Sequence, residues 1–187
     1  MERFGKKETW EQKIYRADVS LHLLEVALNS VESFAKRIEI IFFRKKNVCS
    51  FTVKDNGCGM DERTLRECLK HGFSTKGDHR GRGLSLLEKD VTNCGGALRI
   101  TSEAFVGTNV YAEFIIDSTN SVIEGKVEDS VATLLSKCEN GVDFLFEFIT
   151  ESGEFTLDTT KIPRECDGSI PIQLVYRIKN EIKNKLK

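Results

Sequence analysis

The chain has 187 residues, a formal net charge of −1, and 40% hydrophobic and 30% charged residues. Those proportions describe a globular, water-facing protein, and the near-neutral charge removes the electrostatic case for binding nucleic acid or an anionic membrane. Met1 to Lys7 lack the apolar core of a secretory signal, and Ile40-Ile41-Phe42-Phe43 is far too short to span a bilayer, so a cytoplasmic setting is expected. The six cysteines are irregularly spaced with no C-x-x-C pair, which reads as buried or incidental thiols rather than a metal or redox centre.

In chain order, Asp18 or Ser20 caps a helix in which Leu24, Ala27, Leu28, Val31, Phe34 and Ala35 recur at helical spacing. Residues 37–43 and 48–53 read as strands joined in a hairpin through Lys45-Lys46-Asn47. A short helix follows over 61–69, capped by Asp61, then a loop over 70–82 rich in Gly, Lys, Arg, Ser and His. A helix over 83–94 stops at Gly95-Gly96, and strands over 97–101 and 108–116 follow it. Beyond the polar connector 117–121, a helix carries Val127, Val131, Leu134 and Cys138. Alternating Phe144, Phe146 and Phe148 mark a strand, Ser152-Gly153 turns into a partner strand, and Pro171 opens a Lys-rich helix. This gives two units, residues 1–117 and a small αββα extension over 118–187 that packs on the first or serves as an adaptor.

Four short segments carry the chemistry, the last of them Gly107-Thr108. His22, Glu25, Asn29 and Glu32 form a polar stripe on the first helix, and a mid-helix asparagine is a poor helix former unless its side chain is used. Its amide oxygen suits Mg²⁺, which takes hard oxygen donors and completes its shell with phosphate and water. A glutamate one turn away could polarise a water for attack on a phosphoryl group. Asp55 ends a strand and runs into Asn56-Gly57-Cys58-Gly59; a carboxylate there can accept from an exocyclic amine, or be a solvated turn residue. Gly81-Arg82-Gly83 precedes a helix, where backbone N–H groups can approach phosphate with Lys76, Arg80 and Arg82 adding charge.

Taken in order, Glu25-x-x-x-Asn29, Asp55-x-Gly57-x-Gly59, Phe73-Ser74-Thr75-Lys76, Gly81-x-Gly83-Leu84 and Gly107-Thr108 resemble the N box, the F box and the three glycine boxes of the GHKL superfamily. That group includes gyrase, heat-shock chaperone ATPases, mismatch-repair ATPases and the ATP-binding domains of histidine kinases. The resemblance covers about residues 18–116. It implies an α+β, two-layer α/β sandwich, a mixed sheet with helices on one face, holding ATP in the Bergerat manner. It further implies that Asn29 binds Mg²⁺, Asp55 takes the adenine amine, and Thr108 supports the adenine end. Gly57 and Gly59 shape the base pocket, Gly81 and Gly83 with Leu84 meet the phosphates, residues 70–82 form a short ATP lid, and Glu25 stands at the general-base position. The sequence departs from the pattern at Ser33, where Ala is usual, and at Ser85, where Gly is common.

The expected activity is ATP hydrolysis or phosphoryl transfer to a partner protein, as in histidine-kinase-like or anti-sigma-factor-type enzymes. Residues 1 to 24 are too few for the helical hairpin that carries a phosphoacceptor histidine, so the acceptor is expected on another protein. His22, His71 and His79 read as structural residues or phosphate neighbours rather than acceptors. The alternative is a nucleotide-gated protein-binding module with little or no turnover.

Overall fold

The structure, a computed structural model of the chain, describes residues 17–68, 83–116 and 122–186. The expected loop over 70–82, with Phe73 to Lys76, His71, His79, Gly81 and Arg82, falls outside these, as does the connector 117–121. The elements are β1 (Ala17–Asp18), α1 (Val19–Glu32), β2 (Arg37–Lys45), β3 (Val48–Asp55), α2 (Glu62–Cys68) and α3 (Gly83–Asn93). They continue with β4 (Ala97–Glu103), β5 (Gly107–Ile115), β6 (Val122–Ile123), α4 (Val127–Leu135), β7 (Asp143–Thr150), β8 (Gly153–Asp158) and α5 (Ile172–Lys185).

Strand alternation builds one six-stranded mixed sheet in the order β4-β5-β3-β2-β7-β8. Only β2 and β7 are parallel within it; every other neighbouring pair is antiparallel. On its helix-covered face Ile38, Ile40, Phe42, Phe51, Val53, Phe114, Phe144, Phe146 and Phe148 are all at most 1% exposed, so the alternating phenylalanines are core. The opposite face carries partly exposed Glu39, Ile41, Phe43, Thr52, Tyr111 and Glu147, the mixture expected of a sheet with one wet side. Strands from residues 1–117 and from 118–187 therefore share a single sheet. At the helix layer, Ser130 Oγ donates to the Ser20 carbonyl at 2.8 Å, Ser20 N–H donates to the Glu124 carbonyl at 3.0 Å, and Lys179 of α5 pairs with Asp129 of α4 at 2.6 Å.

Helix α1 begins where expected: the Asp18 carboxylate accepts from Leu21 N–H at 3.1 Å. Its buried face differs from the apolar stripe read in the sequence. Val19, Ser20, His22, Leu23, Val26, Ala27 and Ser30 are buried, while Leu24, Leu28 and Val31 are only half-buried. Phe34 lies past the helix end, 85% exposed with φ 63°, where Ala35 N–H bonds the Ser30 carbonyl at 3.3 Å. The reason is geometric: α1 must face both the sheet and α4, and its two buried serines bond outward, Ser20 on the α4 side and Ser30 to Asp55 of β3.

Candidate functional site

Asp55 follows Val53 by two residues and so projects from the helix-covered face of the sheet, beneath the second half of α1. Its Oδ2 accepts from Ser30 Oγ at 2.6 Å, and its Oδ1 accepts from Gly57 N–H at 2.9 Å and Thr108 N–H at 3.3 Å. A carboxylate has about four acceptor positions. Three donors from three elements fix its plane and leave capacity for one more N–H.

The backbone around this carboxylate is so close that side chains are excluded. A Cβ on Gly57 would sit 2.0 Å from Ser33 Oγ, and one on Gly107 (φ 141°) 2.0 Å from the Asp55 carbonyl oxygen. Gly59, at φ 60°, would meet the Glu103 carbonyl oxygen at 1.9 Å. Glycine is thus required by contact at all three and by conformation at two. Asn56 closes the turn from the other side, its Oδ1 accepting from Lys36 and Arg37 N–H, each at 2.9 Å. Ser102 Oγ accepts from Met60 N–H at 2.8 Å and lies 2.9 Å from Thr108 Oγ1, which locks the start of β5 against the glycine turn.

Glu25 and Asn29 are exposed one turn apart on α1. A Cβ built on Gly83 would lie 3.4 Å from Glu25 Oε2, so the α3 start stands beside the Glu25 carboxylate. Leu84 follows, half-buried against the core. The structure thus brings Asp55, Gly57, Gly59 and Thr108 together at one end, and Glu25 and Gly83 at the other. Lys76, Gly81 and Arg82 lie outside the described residues. His22, read in the sequence as part of the polar stripe, is instead buried and lies 2.9 Å from Asp90. Sequence reasoning missed Ser30, Asn56 and Ser102 as supports of Asp55 and its turn. Only the small hydroxyl of Ser30 beside Asn29 offered a signal, and it gains meaning only through a contact 25 residues away.

A separate concavity of about 560 Å³ opens on the far side of the sheet, lined by Arg37, Glu39, Lys54, Thr101 and Asn109. It shares Asp55, Gly107 and Thr108 with the site, but these five residues alternate away from the helices. At its rim the Arg37 guanidinium, 3.1 Å from Asp158, holds that carboxyl down to about 2, with Thr160 adding a second hydrogen bond.

Comparison with known proteins gives the family and the fold. The model for the histidine kinase-, DNA gyrase B-, and HSP90-like ATPases matches residues 16–118, over half of the chain, and the chain belongs to that family. It is similar to the sensor protein CitS of Halalkalibacterium halodurans, 42% identical over 64 residues covering 34% of this chain and 12% of CitS. The sensor histidine kinase DcuS of Escherichia coli K12 is 33% identical over 69 residues, covering 37% of this chain and 13% of DcuS. The sensor histidine kinase YvrG of Bacillus subtilis is 31% identical over 112 residues, covering 56% of this chain and 18% of YvrG. The chain spans less than a fifth of the length of these relatives. A crystal structure of the N-terminal domain of a DNA repair protein superposes with TM-score 0.53 at 19% identity, covering 81% of this chain and 54% of that one, a likeness of fold alone. Family and fold together define an ATP-binding domain of the histidine-kinase-like type. No described helix is long and apolar enough to cross a membrane.

Proposed function

We propose that the chain binds Mg·ATP between α1, α3 and the β3–β5 edge of the site, and uses it for hydrolysis or phosphoryl transfer to a partner protein. The observation that carries this reading is the Asp55 carboxylate, held by three donors at 2.6, 2.9 and 3.3 Å with one acceptor position left. That position suits the exocyclic amine of adenine and repels guanine, whose carbonyl oxygen offers no proton. Gly57, Gly59 and Gly107 keep the floor thin enough for a planar base, and Thr108 supports it. Gly83 and Leu84 take the phosphate end, together with Gly81, Arg82 and Lys76 by the family likeness.

Glu25 reaches the α3 start and acts as general base. It accepts a proton from water, or from the acceptor group, as the nucleophile bonds to the γ-phosphorus and the bond to ADP breaks. Among the described residues no group of three His, Cys, Asp or Glu could hold a metal alone, and Mg²⁺ ordinarily takes part of its shell from substrate phosphate and water. The exposed Asn29 amide fits Mg²⁺ on those terms. When bound, Mg²⁺ neutralises charge on the phosphates. In this reading residues 1–117 hold the nucleotide, and 118–187 pack on that unit or serve as adaptor. The setting is cytoplasmic, and neither nucleic acid nor membrane is needed.

A specific observation favours the second reading, a nucleotide-gated binding module. Phe34 and Phe105 are 85% and 94% exposed, both at φ 63°. Both adjoin the glycine turn: Cys58 N–H bonds the Ser33 carbonyl at 2.9 Å, and Phe105 N–H bonds the Cys58 carbonyl at 2.7 Å. Glu25→Ala separates the readings. Catalysis predicts unchanged Mg·ATP affinity by calorimetry and loss of phosphate release of about 10²-fold or more. Equal, near-zero release by both proteins with normal affinity selects the binding module.

A further inference from the structure

The two ends of the proposed nucleotide site are anchored differently. The adenine end rests on the sheet, through Asp55 on β3 and Thr108 on β5, with Ser30 of α1 on the Asp55 carboxylate and no contribution from α3. The phosphate end depends on how α3 lies on α1. Those helices share a buried polar contact: His22 Nε2 and Asp90 Oδ2 are 2.9 Å apart, and the residues are 5% and 4% exposed. The imidazole also stacks on Phe114, with centroids 6.0 Å apart and planes at 17°.

A buried polar pair of this kind is no better for stability than two well-packed apolar side chains of the same volume. What it supplies is direction. The packing of Leu87 and Val91, both core residues of α3, seats the helix on the core, and the hydrogen bond between His22 and Asp90 adds a directional contact with one register. The consequence falls on the second contact. Glu25 is three residues after His22, and Gly83 is seven residues before Asp90, so the helices run in opposite senses and the first contact sets the second. A slip of α3 by one residue moves its start about 1.5 Å along its axis. A misplacement of about 1 Å can cost about 10²-fold in a phosphoryl-transfer geometry.

We propose that the His22–Asp90 pair is a positioning device for the phosphate end of the site: it pins α3 on α1 so that the helix start faces Glu25, while the adenine end is held without α3, by Asp55 and Thr108 of the sheet and Ser30 of α1. This rests on the Mg·ATP reading above. Neither residue touches nucleotide, so their loss separates the two ends.

The test replaces the pair with apolar residues, His22→Phe with Asp90→Leu, and separately makes Asp90→Asn, which keeps size and a weaker bond. Affinities for Mg·ATP by calorimetry and for adenosine by amide shifts are measured on the full chain, with phosphate release and thermal midpoint alongside. The double variant should fold, lose Mg·ATP affinity by about tenfold, and keep adenosine affinity within about threefold. Asp90→Asn should show the same selective loss at about threefold, and it decides the matter if the double variant does not fold. Equal losses for both ligands would mean a merely structural pair and overturn the proposal, as would no loss for either. If wild type binds no ATP, the underlying reading fails and takes this one with it. If wild type binds ATP and every variant matches it, only this one fails.

Discussion

Replacing Asp55 by asparagine changes one oxygen for an amide nitrogen without changing shape. The Oδ1 side can still accept from Gly57 and Thr108 N–H, and Ser30 can rotate its hydroxyl to accept from the new amide, so the fold loses charge assistance only. That is about 1–2 kcal/mol of stability. Nucleotide binding loses more. The acceptor facing the adenine amine becomes a donor facing a donor, which removes a charged hydrogen bond of about 1.5–3 kcal/mol and leaves both groups unsatisfied at about 1–3 kcal/mol. The sum, about 2.5–6 kcal/mol, is a loss of about 10²- to 10⁴-fold in ATP affinity. Calorimetry with ATP and inosine triphosphate on both proteins isolates the contact: wild type should favour ATP strongly, and Asp55→Asn should reverse the preference, because its amide donates to the inosine carbonyl. Retention of ATP affinity within threefold by a folded Asp55→Asn protein, or an unaltered preference for ATP, would refute the reasoning.

Gly107→Ala places a methyl 2.0 Å from the Asp55 carbonyl oxygen at φ 141°, and should cost about 3 kcal/mol in urea unfolding while weakening ATP binding through Thr108. Phe34→Gly should do the reverse: a nearly exposed ring at φ 63° yields to the residue that prefers that backbone, raising stability by about 1 kcal/mol in the same assay. Asp158 has its carboxyl lowered from 3.8 to about 2 by Arg37 and Thr160, so it contributes stability above about pH 4 that disappears as pH falls through 2. Arg37→Ala should therefore shift the urea midpoint downward at pH 6 and converge with wild type near pH 2.

Much of the site was legible because it is built from local signals. An acid at a strand end before two glycines, and a polar pair one turn apart on a helix, show themselves in short windows, and Asp55, Glu25 and Asn29 lie where those windows place them. The phenylalanines of β7 were equally readable from alternation. What could not be read are pairings made across the chain. His22 reads as structural or solvated within a polar stripe, and its partner Asp90, 68 residues on, is not announced by anything nearby. The buried face of α1 was misjudged because its serines bury through bonds to β3 and α4, which hydrophobicity does not register. The parallel pairing of β7 with β2 joins Ile38 to Phe144, and no local rule announces a partner so distant. Phe34 read as helix core for the opposite reason, since nothing nearby marks a left-handed residue when glycine is absent from it.

The most direct measurement is an amide-resolved titration of isotope-labelled protein with Mg·ATP. The account predicts saturable shifts at one site, concentrated at Gly57, Gly59 and Thr108 for the base and at Gly83 and Leu84 for the phosphates. No shift at all, or shifts gathered instead on Glu39, Lys54 and Thr101 across the sheet, would contradict it.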